Sequence, residues 1–245
     1  MRNLLLASTL LAAVGASPAH AALQIAADIN GAGFFCANGQ ACDQNSNPNV
    51  IITNNANLDG ILFSSSSTSS ASSKTQDFLN SSNLVITNTN STAVAVTITV
   101  SNTDFTAPVK SFTTADSGVW QGSSAISTAT MKWFVDPLDR QGADNAFNTP
   151  GDLIEQVTST SAGPLLAFSQ NDPDVPDGLD GPFSMTEQIT IVLQPGESLV
   201  NRGQSIVGIP SAIPETSTWM MMAIGLAFMG FAGHRRHRNR LATFA

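Results

Sequence analysis

Residues 93–100 alternate strictly. Val94, Val96, Ile98 and Val100 take one set of positions, and Ala93, Ala95, Thr97 and Thr99 the other. A period of two is that of an extended strand with one apolar face; a helix would scatter the same residues around its axis. Residues 183–193 repeat the pattern, with Phe183, Met185, Ile189, Ile191 and Leu193 in register and Glu187 the one exception. Weaker strands of the same kind are predicted at 83–87, 126–135, 153–157 and 198–200. Turn-forming clusters punctuate them: Asn47-Pro48-Asn49, Asp59-Gly60, Asp116-Ser117-Gly118, Asn148-Thr149-Pro150-Gly151 and Gln194-Pro195-Gly196. No stretch between 22 and 212 sustains an apolar period of 3.6. The expectation is an all-β body, a single antiparallel β-sandwich of jelly-roll or Ig-like form whose sheets are wet on one face.

Residues 64–73 contain eight serines in ten positions. A run so poor in apolar surface reads as a mobile loop or a strand edge, or as the boundary between a small N-terminal hairpin region and the main sandwich. One domain over 22–212 is preferred, because the segment before the serines has few large apolar residues with which to build its own core.

Both ends of the chain speak of export. Met1-Arg2-Asn3 supplies a positive charge, Leu4 to Val14 an apolar stretch, and Ala19-His20-Ala21 a small-x-small cleavage pattern. Residues 1–21 are therefore read as a signal peptide, implying the Sec machinery and signal peptidase as partners. At the other end Pro214 and Glu215 precede an apolar run, and Arg235, Arg236, Arg238 and Arg240 follow it. A helix is expected over about 218–233, and its uncharged part from Trp219 to Gly233 reaches only about 22 Å at 1.5 Å per residue, against a bilayer core of about 30 Å. Snorkelling arginines and an interfacial Trp219 make up the difference. The arginines stay on the cytoplasmic side and leave the body outside. On the residues alone, an uncut C-terminal anchor is one reading of this stretch.

The stretch 213–240 also resembles the PEP-CTERM sorting signal of exported proteins in Gram-negative bacteria that make extracellular polysaccharide. Pro214 and Glu215 match the first two motif positions, Trp219 the spacer, and the span and arginines the remainder; Thr216 stands where the family has its second proline. The resemblance implies a membrane-embedded exosortase that cuts near Pro214-Glu215. It implies a chain that is anchored transiently and then passes to the cell surface or the extracellular polysaccharide.

Charge narrows the function. Four of the ten Lys and Arg lie in the tail and one in the leader, whereas 17 of the 18 acids lie in the body. So acidic a body argues against nucleic acid, whose phosphates need a basic face. His20, His234 and His237 all lie outside the body, and the chain has no tyrosine. A Ser-His-Asp or Cys-His mechanism and a His-ligated metal therefore lack their histidine. Cys36 and Cys42 are the only cysteines, and in an exported chain they are expected to pair, with Asn38-Gly39 making the turn.

Asp172, Asp174, Asp177 and Asp180 offer hard oxygen ligands that would suit calcium, though without EF-hand spacing; no other cofactor is expected. Asp136, Asp139 and Asp144 form a weaker set of the same type.

Three functions remain. The first is a non-catalytic structural protein of the cell surface or polysaccharide matrix. The second is a glycan-binding or adhesin module, with Trp120 and Trp133 as the rings to stack on sugars. The third is a glycoside hydrolase built on two carboxylates, for which Glu155, Glu187 and Glu197 are the available glutamates.

Overall fold

The computed structural model describes residues 23–210 except 74–75, 107, 123–125, 162–164, 176–178 and 180. The signal peptide, the C-terminal segment with Pro214, Glu215, Trp219 and its four arginines, and Asp177 and Asp180 lie outside the described residues. The described residues form one compact unit.

The described chain is all-β. Its strands are β1 (Gln24–Ile29), β2 (Ala32–Ala37), β3 (Val50–Thr53), β4 (Ala56–Leu58), β5 (Ile61–Ser72), β6 (Asp77–Asn88) and β7 (Val94–Phe105), followed by β8 (Val109–Gln121), β9 (Thr128–Asp136), β10 (Asp152–Thr160), β11 (Leu165–Val175), β12 (Phe183–Leu193) and β13 (Ser198–Pro210). One sheet has six strands in the order β10-β9-β12-β7-β1-β2. The other has seven, β11-β8-β13-β6-β5-β3, with β4 also paired to β5. Every pairing is antiparallel.

The two sheets pack face to face because alternation leaves each with an apolar side. Val94, Val96, Ile98 and Val100 on β7 lie beside Leu193, Ile191, Ile189 and Glu187 on β12, in direct cross-strand register. The largest fully buried side chains are Trp120, Trp133, Phe105, Phe112 and Phe183. Phe183 stacks on Phe105 at 5.7 Å and meets Phe112 edge-on at 5.9 Å, so rings from both sheets lock together.

Two hairpins follow directly from their turn residues. Asn30-Gly31 (φ 53° and 87°) joins β1 to β2, and Asp59-Gly60 (φ 46° and 75°) joins β4 to β5. Positive φ at both central residues is the two-residue turn whose twist suits paired strands, and Asn-Gly and Asp-Gly adopt it most readily.

Two sequence expectations are corrected. The serine run is neither loop nor boundary but most of β5, paired along its length with β6. Ser66, Thr68 and Ser70 are buried there, because the inner face they meet is itself polar. Asp116-Ser117-Gly118 is not a turn but the middle of β8. Gly118 is required by packing: a Cβ there would stand 2.7 Å from the Phe168 ring and 2.9 Å from Leu199.

Candidate functional site

The two outer faces differ in kind. Over the six-stranded sheet, the connection between β9 and β10 folds back across β7 and β12. Thr99 Oγ1 and Gln188 Nε2 both donate to Ala146 O (2.6 and 3.0 Å), and Gly142 N donates to Ser101 Oγ at 3.1 Å. Thr99, Ser101, Thr186 and Gln188 are buried as a result.

The outer face of the seven-stranded sheet has no such cover among the described residues. One row across it runs Ser67 (β5), Ser82 (β6), Gly203 (β13), Ser117 (β8) and Ser169 (β11). The next runs Ser69, Asn80, Ser205 and Ala115, and a third, on the other side, Ser64, Val85, Val200, Val119 and Ala167. These rows hold no charged side chain, and most of their residues are small. Neighbouring hydroxyls in a row stand about 4.8 Å apart, and rows are about 6.7 Å apart. Ser82 Oγ donates to Ser67 O at 3.3 Å and Ser64 Oγ to Val85 O at 3.4 Å. In those two the proton is committed to the neighbouring strand and the oxygen is left as an acceptor.

Two grooves open on this face. One of about 240 Å³ lies over Gly203, among Ser117, Ser169, Asn80 and Ser205. The other, about 470 Å³, lies at the corner where β4 joins β5, lined by Asn57, Leu62, Ser64, Val85 and Thr87.

Between the sheets runs a polar layer. The buried residues Asp116, Gln204, Ser81 and Thr68 are cross-strand neighbours across the seven-stranded sheet, with the exposed Gln170 beside Asp116 at its edge. Ser81 Oγ donates to Glu187 Oε2 at 2.8 Å, and Arg202 Nη2 donates to Ser81 Oγ at 2.9 Å and to Gln204 Oε1 at 2.8 Å. Arg202 Nη1 donates to Asn83 Oδ1 at 2.8 Å. Burial pushes the Glu187 carboxyl well above its ordinary range, against the pull of the Ser81 hydrogen bond and of Arg202. Burial likewise pushes Arg202 down to about 10, with Glu187 opposing. Asp116 is 4% exposed, neither of its oxygens has a protein partner, and burial raises it to about 6.

The sequence candidates fall as follows. Cys36 and Cys42 are disulfide-bonded, with Cα atoms 5.9 Å apart. Trp120 and Trp133 are 1% and 0% exposed, so the expectation that they stack on sugars is overturned: both rings are core. Trp120 spends its Nε1 proton on Ser159 Oγ, at 3.2 Å across the sandwich. Glu187 is interior, and Glu197 is buried with Ser127 Oγ donating to its Oε2. Neither lines the two grooves, while Glu155 sits half-buried on β10.

Asp172 and Asp174 lie in β11 rather than in a loop. Asp136, Asp139 and Asp144 are not gathered round one point. Burial works against ionisation of Asp136, but the Arg140 guanidinium, 2.6 Å away, and the N–H groups of Leu138 and Arg140 hold it below its ordinary value. Asp139 is raised by burial and by the negative charges of Asp104 and Asp136, though it accepts a hydrogen bond from Asp104 N at 2.8 Å. Asp144 accepts from Asn145. Among the described residues no three acidic, cysteine or histidine side chains form a metal-holding group. Sequence reasoning missed the serine face, since its only signal was the alternation of serine with serine, which carries no hydropathy contrast.

No protein-family model matches the sequence, and no curated protein matches it. Among solved structures, the chain is similar to the carbohydrate-binding module TmCBM61 in complex with β-1,4-galactotriose, at 9% identity over 57% of this chain and 86% of that one, with a TM-score of 0.29. It is also similar to the enzymatically active domain of bacteriophage CBA120 tailspike protein 4 (13% identity, 59% and 19% covered, TM-score 0.26). A third is the Arthrobacter globiformis T6 isomalto-dextranase complexed with panose (12% identity, 64% and 23% covered, TM-score 0.23). Likeness this slight carries no weight for function.

Proposed function

We propose that this chain is an exported, non-catalytic protein of the cell surface or polysaccharide matrix, and that the uncharged outer face of its seven-stranded sheet lies against neutral polysaccharide. The observation that carries the reading is the division of charge. Among the described residues no acid stands in the serine rows of this sheet face, and the one carboxylate that lines its groove over Gly203, Asp116, is buried. Serine hydroxyls, able both to accept and to donate, suit a polymer rich in hydroxyl groups, and the surrounding acidity disfavours anionic polymers.

The body is read as a jelly roll. From β6 to β13 the strands lie as β6-β13-β8-β11 in one sheet and β7-β12-β9-β10 in the other, the order of two interlocked Greek keys. Delivery is assigned to the signal peptide and to the PEP-CTERM-like tail, with an exosortase as processing partner and a short transmembrane helix as the transient anchor. Intact mass of protein recovered from membranes and medium tests that part: loss of residues 1–21 and a C-terminus near Pro214 are expected, and a chain still ending at Ala245 would make the tail a plain anchor.

Affinity electrophoresis tests the face. Retardation in gels containing a neutral exopolysaccharide is expected, together with its loss in Ser117→Glu. Equal mobility with and without polysaccharide would count against the reading.

A further inference from the structure

Among the described residues four strands end the two sheets, β2 and β10 in one and β11 and β3 in the other, with the three-residue β4 beside β3 on the same side of β5. An edge strand presents unpaired N–H and C=O groups to any passing strand unless charge, proline, a bulge or shortness blunts it. Three of the four are blunted. β10 carries Asp152 and Glu155 with a bulge between Leu153 and Glu155. β11 carries Asp172, Pro173 and Asp174 and breaks register between Asp172 and Val175. β3 is four residues long.

β2 has none of these devices. Ala32-Gly33-Phe34-Phe35-Cys36-Ala37 has no charge and no proline, and it keeps unbroken register with β1. Asn38 N donates to Leu23 O, so the main chain of even-numbered positions points to β1 and that of Gly33 and Phe35 to the open edge. The disulfide closes the far end of this edge, where the Cys42 sulfur lies 4.0 Å from Phe35 O. Phe35 is 39% exposed, while the space beside Gly31 and Gly33 is empty.

We propose that β2 is an interaction surface for a second copy of this chain, paired antiparallel and edge to edge about a two-fold axis at Gly33. The pattern is self-complementary in that register. Opposed residues share a face, so Phe34 packs beside Ala32 of the other copy in the interior layer. Phe35 covers the vacant space at Gly31 of the other copy, an aromatic ring over a glycine. Charge selects both the partner and the edge. Two acidic bodies repel least where a strand carries no charge of its own. β2 has none, its nearest carboxylate being Asp28, one strand in, opposite Gly33 and accepting from Gly31 N at 3.1 Å. Pairing two β10 edges would instead bring Asp152 and Glu155 of both copies together. So short an edge contact falls below the size of a stable interface, which makes the pairing weak and concentration-dependent. The proposal does not depend on what the serine face binds.

Sedimentation velocity of the full-length chain in mild detergent, over a range of concentrations, tests it with two variants. Wild type is expected to show a concentration-dependent dimer, and Ala32→Lys, which puts a cation on the edge, to stay monomeric with an unchanged thermal midpoint. Gly33→Cys is expected to form a covalent dimer on a non-reducing gel, while Asp152→Cys on β10 is not. A wild type that stays monomeric at millimolar concentration would overturn the proposal, as would a dimer that survives Ala32→Lys or an absence of Gly33→Cys cross-links. Pairing of β2 with a different protein would appear as a monomeric pure chain and would equally overturn it.

Discussion

Glu187 and Arg202 stand on different sheets, 1% and 2% exposed, and meet only through the Ser81 hydroxyl between them. A carboxylate and a guanidinium held this deep are each costly to desolvate, and each is tolerable because the other is there.

Removing one partner should therefore hurt far more than removing both. Arg202→Met is expected to cost about 1–3 kcal/mol, since Asn83, Ser81 and Gln204 lose their donor and Glu187 its countercharge, whereas Glu187→Leu with Arg202→Met should recover part of the loss. Urea unfolding of the two single variants and the double variant measures the coupling. Additive losses would mean that the two charges are independent.

Asp116 gives a pH signature of defined sign. Its folded value of about 6 lies above the ordinary 3.8, so the native state holds the proton more tightly than the unfolded chain does. The stability that this preference contributes is present below about pH 4 and lost as pH rises through about 6. Asp116→Asn should therefore be more stable than wild type at pH 8, by at most about 3 kcal/mol before screening by solvent, with the difference closing toward pH 4. Thermal melts across that range check it.

The same residue shows where sequence reading reaches its end. The alternation at 94–100 and 183–193 identified two strands that prove to be direct neighbours, Val96 opposite Ile191 and Ile98 opposite Ile189. Glu187 was already visible as the exception on an apolar face. Asp116-Ser117-Gly118, by contrast, has the composition of a turn, and only the rings of Phe168 and Trp120 on the neighbouring faces make it a strand. Likewise Ser66, Thr68 and Ser70 bury themselves against Asn83 and Ser81, a polar interior that no hydropathy pattern announces. The tryptophans could be read as core or as sugar-stacking rings, and their burial decides for core, because a ring's chemistry is legible in sequence but its exposure is not.

Gly118→Ala tests that close approach. The added methyl has no room against Phe168 and Leu199, so a loss of about 1–3 kcal/mol is expected from overpacking. Ser117→Ala on the opposite side of the same strand should change stability little. Equal melting of both variants would refute the packing argument for Gly118.

Loss of the disulfide should be modest. Its cysteines are six positions apart, and closing so short a loop contributes about 2 kcal/mol. Cys36→Ala with Cys42→Ser should lower the unfolding midpoint without changing the cooperativity of the transition, as followed by circular dichroism.

The uncharged face is the centre of the account, and amide hydrogen exchange with and without neutral exopolysaccharide tests it most directly. Slowed exchange is predicted in peptides covering 64–69, 80–85, 115–119 and 200–205, the segments that carry the serine rows, with the β9–β10 connection unchanged. Protection confined to that connection or to the acidic loops, or protection nowhere, would contradict it.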